Sequence, residues 1–184
     1  MPLMKNDFHT LFPLEALYAG IRQNSPPFVE IPETEIPQPQ RQLLAHSNDM
    51  TPTLESFYRQ NIALNVLHKT VTDEYLHRMV TLDCENDEPV LFGAICIHLL
   101  QFPEPIRSKT LACRQPLGSI LRDHPLPHSS EPLFFFRVLS DAVINRAFGM
   151  TQSRWLFGRL NRLLLPDGQP LVEVVEILPE TSPK

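Results

Sequence analysis

Between Asn61 and Leu100, three runs rich in β-forming residues follow one another through connections too short for anything but turns. The runs are Asn61 to Val71, Tyr75 to Cys84 and Val90 to Leu100, joined by Thr72-Asp73-Glu74 and by Glu85-Asn86-Asp87-Glu88-Pro89. Strands connected this way must be antiparallel, because a parallel neighbour needs a crossover of about a dozen residues or more. A second hairpin is predicted near the C-terminus. There Ser153 to Leu165 and Leu171 to Leu178 flank Pro166-Asp167-Gly168-Gln169, whose glycine suits positive φ. Leu133 to Leu139 reads as one more strand, with Phe134-Phe135-Phe136 equally compatible with buried helix.

Helical segments are fewer. Leu14, Leu17 and Tyr18 give Leu11 to Arg22 an apolar stripe at helical spacing. Thr51 and Pro52 read as the cap and first position of a helix carrying Leu54, Phe57 and Tyr58. Ile106 to Cys113 reads as helix, and a second short one is expected from Pro116-Leu117-Gly118. His124 to Pro132 reads as loop. The expected class is α+β, an antiparallel sheet with packed helices.

Proline divides the chain. Nineteen prolines are present, and five of them (Pro26, Pro27, Pro32, Pro37, Pro39) fall between Ser25 and Gln40. Proline fixes φ and removes a backbone donor, so this stretch is expected to be extended or irregular. The reading is an N-terminal helix and Pro-rich segment over 1–40, a main domain over 41–180 and a tail over 181–184.

A formal charge of −5 over 184 residues argues against nucleic-acid binding, which favours a basic face. No apolar run is long enough to span a bilayer as a helix, and no signal-peptide pattern opens the chain. Cys84, Cys96 and Cys113 are odd in number and form no CxxC pair, so free thiols in a reducing, cytoplasmic setting are expected. The seven histidines form no HExxH or paired ligand motif, and no metal site is expected. There is no GxSxG elbow and no glycine-rich phosphate loop.

Charges on apolar strand faces are the most informative chemistry. Alternation puts Arg78 with Leu76, Val80 and Leu82 on one face. A buried guanidinium needs a carboxylate or a bound anion. In the last strand Glu173 lies on one face with Val175, and Glu176 on the other with Val172 and Val174. Both faces are apolar, and periodicity does not choose between the two glutamates.

Six short motifs then fall in an order that resembles the chorismate lyase family, over roughly residues 45 to 180. They are Asn48-Asp49-Met50-Thr51 before a helix, the strand with Leu76-His77-Arg78, Phe92-Gly93, Gln115-Pro116-Leu117-Gly118, Phe157-Gly158-Arg159 with Arg162, and Gly168-Gln169-Pro170-Leu171 leading to Glu176-Ile177-Leu178-Pro179. The resemblance is nearest to a divergent branch. It implies an antiparallel sheet with helices on one side and an internal ligand cavity closed by helical flaps. It also implies conversion of chorismate to 4-hydroxybenzoate and pyruvate without metal or organic cofactor, feeding quinone or phenolic biosynthesis.

By the resemblance, Arg78 would hold a substrate carboxylate and Glu176 would act at the ring hydroxyl and leaving enolpyruvyl group. Met50, Gly93, Leu117 and Gly118 would shape the pocket. Counting forward from Gln169-Pro170 selects Glu176, whereas counting back from Pro179 puts Val175 at that position. A one-residue shift turns a side chain to the other face. Ala94 stands where some relatives carry a second basic residue. The expected partner is the small-molecule substrate, with no nucleic acid and no membrane, and the expected state is a monomer or dimer.

Two other readings compete. One is a non-catalytic module that binds an aromatic carboxylate on the same fold. Sensory modules of that kind usually follow a helix-turn-helix, and the first 40 residues are too short and proline-rich for one. The other is an interaction protein docking through the Pro-rich segment, for which no PxxP with basic flanks is present.

Overall fold

The computed structural model describes residues 10–180. The expected tail and residues 1–9 lie outside the described residues. The chain runs α1 (Leu14–Gly20), β1 (Phe28–Ile31), α2 (Gln40–Leu44), α3 (Met50–Tyr58), β2 (Ala63–Val71), β3 (Tyr75–Asp83) and β4 (Pro89–His98). It continues through α4 (Ile106–Ala112), α5 (Leu117–Asp123), β5 (Ser129–Leu139), α6 (Ala142–Phe148), β6 (Trp155–Leu164) and β7 (Pro170–Ile177). The strands make one seven-stranded sheet in the order β1-β5-β6-β7-β4-β3-β2, antiparallel at every pairing.

Local chemistry closes each hairpin. Between β2 and β3, the Thr72 hydroxyl accepts from the backbone N–H groups of Glu74 and Tyr75. Between β6 and β7, Asp167 accepts from the Gln169 N–H while Gly168 takes φ +83°, a conformation costly for any residue with a Cβ. The last strand then inserts between β4 and β6. That central place is why both of its faces are apolar.

The α+β antiparallel class is as expected. One sheet face carries Leu76, Ile95, Ile97, Val172 and Val174 under α4 and α5, with α3 beside them. The reverse face carries Met79, Phe92, Phe136, Val175 and Ile177, and α1 and α6 cover it. Helices therefore flank both faces, rather than one, because β3, β4 and β7 present apolar side chains in both directions.

Several elements differ from the sequence reading. The Pro-rich stretch is not wholly irregular. Phe28 to Ile31 forms β1 and joins the free edge of β5, and Pro27, which has no N–H to leave idle, accepts through its carbonyl from Leu139 N–H. The segment expected as loop before Leu133 is already strand from Ser129. Ser130 bonds Asn161 and Glu131 pairs with Arg162 across the ladder, and Pro132 is tolerated at a register irregularity. The helix expected to be capped by Thr51 starts two residues earlier, after Asp49.

Helix α6 was not anticipated. Asp141 caps it by accepting from Val143 and Ile144 N–H at 3.0 Å each, and the same carboxylate accepts from the Tyr18 hydroxyl. Burial, with Asp141 alongside, pushes the Tyr18 phenol well above its usual range. One acid thus ties α1 to α6 across the reverse face.

Gly158 allows the closest approach in the sheet. A Cβ there would lie 2.6 Å from the Glu176 carbonyl oxygen and 2.6 Å from the Phe136 ring. Gly158→Ala is expected to destabilise the fold by about 1–3 kcal/mol through overpacking, read as a lower urea midpoint. An unchanged midpoint would mean that β6 and β7 separate freely there.

Candidate ligand-binding site

Register brings the charged side chains together. Two rungs of the sheet matter, reading across β3, β4, β7 and β6. The first is Arg78, Ile95, Val174 and Asn161, and the second is Val80, Gly93, Glu176 and Arg159. Both rungs face α3 and α5, and between sheet and helices lies a cavity of about 80 Å3. One water needs roughly 10–15 Å3 on this scale, so the space suits one compact molecule. Its wall is mainly aliphatic, with Thr51, Arg78, Asn161 and Glu176 as polar groups and Asp49 at the α3 end.

Arg78, Glu176, Met50, Gly93, Leu117 and Gly118 all line this one cavity. Met50 comes from the first turn of α3, and Leu117 and Gly118 from the first turn of α5. The two helices meet closely, since a Cβ on Gly118 would stand 2.9 Å from Thr51. Gly93 lies opposite Val80 in the floor, where a Cβ would stand 3.2 Å from the Val80 side chain. Val175 instead packs in the reverse core, and Glu173, on that side too, bonds His98 at 2.7 Å. Glu176 is the glutamate on the cavity face.

Arg78 is only 2% exposed. Among the described residues it forms no salt bridge. Its Nη1 donates to the Cys113 sulfur at 3.5 Å, and its buried Nε has no hydrogen-bond partner. Burial pulls the guanidinium below its usual range, opposed by the Cys113 thiol. An arginine keeps its charge under such pressure, so the cavity holds a cation with unused donors.

Glu176 is in a different state. Arg159 Nε donates to its Oε2 at 2.5 Å, with the side chains 0% and 7% exposed respectively. Arg159 Nη1 also donates to the carbonyls of Leu44 and His46, fastening the end of α2. The Arg159–Glu176 pair is neutral in sum, whereas Arg78 faces the cavity with no salt-bridge partner among the described residues. Sequence reasoning named Arg159 only as part of a motif. Alternation through Phe157, Arg159, Asn161 and Leu163 is the signal that could have placed it.

The rim carries a second pair. His128 Nε2 lies 3.0 Å from Asp49 Oδ1, tying the residue before α3 to the segment before β5. The hydrogen bond to Asp49 raises the His128 pKa, with burial opposing. A raised folded pKa means stability fully present below the unfolded value of about 6.5 and lost as pH rises through the folded value. The thermal midpoint of the wild type is expected to exceed that of His128→Gln at about pH 5.5 and to converge on it by about pH 9. Parallel curves would show that the pair contributes nothing.

No family model matches the chain, and no curated protein matches it. Solved structures do match. A gene product from Staphylococcus aureus superposes with a TM-score of 0.54 at 9% identity, over 74% of this chain and 90% of that one. These two share a fold. The C-terminal domain of the histidine utilization repressor from Pseudomonas syringae pv. tomato gives 0.47 at 12% identity, over 67% and 95% of the two chains. A GntR-family transcriptional regulator from Bacillus cereus gives 0.47 at 12%, over the same shares. Identities this low speak to fold and not to ligand or activity. The resemblance to chorismate lyases therefore stands on the motifs alone. Among the described residues, no helix is long and apolar enough to cross a membrane.

Proposed function

We propose that this domain binds a small aromatic carboxylate in the cavity between the sheet and helices α3 and α5. The observation that carries this reading is Arg78, a buried guanidinium with no carboxylate partner among the described residues and an unused Nε–H. A carboxylate on the ligand would supply the missing charge and accept two parallel hydrogen bonds from the guanidinium fork. Aliphatic walls from Leu91, Ile95 and Val174 match a ring's faces. Thr51 and Asn161 are neutral hydrogen-bonding groups for a ring substituent.

Titration with 4-hydroxybenzoate and with phenol tests this by calorimetry. The acid should bind with one site per chain and phenol at least about a hundredfold more weakly, the cost of losing charge-assisted hydrogen bonds. Equal affinities, or no binding of the acid, would remove the proposal.

A second reading is favoured by Glu176 lying in the same cavity. Arg78 and Glu176 stand two strands and two residues apart, about 12 Å between Cα atoms from ordinary sheet spacings. With both side chains reaching inward, a one-ring substrate held at Arg78 by its carboxylate would present its far side to Glu176. That is the arrangement a chorismate-cleaving lyase needs. Arg78 would orient the substrate. Glu176, hydrogen-bonded by Arg159, would take up the ring proton as enolpyruvate leaves and the ring becomes aromatic. Equal, enzyme-dependent release of 4-hydroxybenzoate and pyruvate from chorismate would establish this activity. Binding without turnover would leave the domain a binding module.

A further inference from the structure

We propose that Cys96, His98 and Glu173 form a binding site for a divalent transition-metal ion of the zinc class, on the sheet face opposite the ligand cavity. Cys96 and His98 are two apart on β4, so both point to the same face. Glu173 on β7 is the direct cross-strand neighbour of Cys96. One ligand atom from each lies within 4.8 Å of the other two. Zinc bonds of about 2.0–2.3 Å at tetrahedral angles set donors about 3.3–3.8 Å apart, so small side-chain rotations close the set. Thiolate, imidazole and carboxylate together suit a borderline-soft ion better than calcium or magnesium.

The surroundings fit. His98 is held by Tyr75, whose ring meets it edge-on at 5.0 Å, and its Nε2 already lies 2.7 Å from Glu173. Those two side chains are 19% and 24% exposed, leaving an entry path, while Cys96 is buried beneath them. His77 stands directly across from Cys96 on β3 but is not among the three side chains whose ligand atoms lie within 4.8 Å of one another, so water would complete the coordination. Arg162 faces Glu173 across β6, but its guanidinium is engaged by Glu131 at 2.8 Å. A thiolate and a carboxylate balance the two charges of the ion.

The test is cobalt(II) added to the chelator-treated full chain. One equivalent should produce a thiolate-to-cobalt charge-transfer band with four-coordinate ligand-field bands, and zinc should remove both. Cys96→Ser should lose the charge-transfer band. His98→Gln and Glu173→Gln, at the more exposed end, should weaken cobalt binding by more than about tenfold, the lower end of the cost of outer-shell losses. If Cys96→Ser does not fold, those two variants decide the question. Absence of a stoichiometric charge-transfer band in the wild type, or a band of equal intensity in Cys96→Ser, overturns the proposal. So does unweakened binding in both His98→Gln and Glu173→Gln.

Discussion

Replacing Arg78 with methionine is expected to abolish aromatic-carboxylate binding, by about a hundredfold or more, while the fold's stability holds or rises. The two halves of that expectation have one cause. Arg78 is buried, with Leu76, Val80 and Leu82 on its strand face and no carboxylate beside it among the described residues. Among the described residues, its desolvation is offset in the free protein by the Cys113 contact. Methionine fills a similar volume without that penalty. The ligand, by contrast, loses a charge-assisted, two-pronged contact worth about 1.5–3 kcal/mol per hydrogen bond. Arg78→Lys should restore charge but not the fork, and bind at an intermediate level. Calorimetric titration and urea denaturation of the same samples separate the effects. Undiminished affinity in Arg78→Met would sink the anion site, and loss of folding would make Arg78 structural.

The largest stability effect is expected from Arg159→Met, about 3–5 kcal/mol of destabilisation, because it strands a buried carboxylate. Glu176 is 5% exposed, and Arg159 is its ion-pair partner. The carbonyls of Leu44 and His46 lose their donor as well. The effect should depend on pH in a definite direction. An unpaired buried carboxyl has a raised pKa, so the variant folds with the proton bound. Its deficit should then be small below about pH 4.3 and grow as pH rises through the raised value. Combining Arg159→Met with Glu176→Gln should remove that pH dependence and leave only the cost of the two carbonyls. A deficit under about 1 kcal/mol at neutral pH would show that water reaches Glu176 and that the pair is not buried in solution.

Much of the cavity was readable because strand alternation is local. In β3 the placing of Arg78 with Leu76, Val80 and Leu82 needs only the period of two, and the structure keeps that face. The hairpins at Thr72 and Gly168 were readable for the same reason, since turn chemistry acts over a few residues. What failed was less local. Phe28 to Ile31 carries no strong strand pattern and becomes β1 because β5 offers a free edge. Ser129 to Pro132 looks like loop until Arg162 and Asn161 stand opposite. Helix α6 is short, and its firmest support is the Asp141 cap that also holds Tyr18 from more than a hundred residues away.

From sequence alone came the antiparallel connectivity, the apolar face bearing Arg78, and two glutamates on opposite faces of the final strand. Only the tertiary structure decided between those glutamates. It did so by inserting β7 between β4 and β6, which sets Glu176 beside Gly93 and Arg159 in the cavity and Glu173 beside Cys96 on the reverse face. Side-chain period is a property of a single strand and is written in neighbouring residues. Which strand lies alongside, in what register and under which helix, depends on contacts between residues far apart in the chain, and no local pattern encodes them.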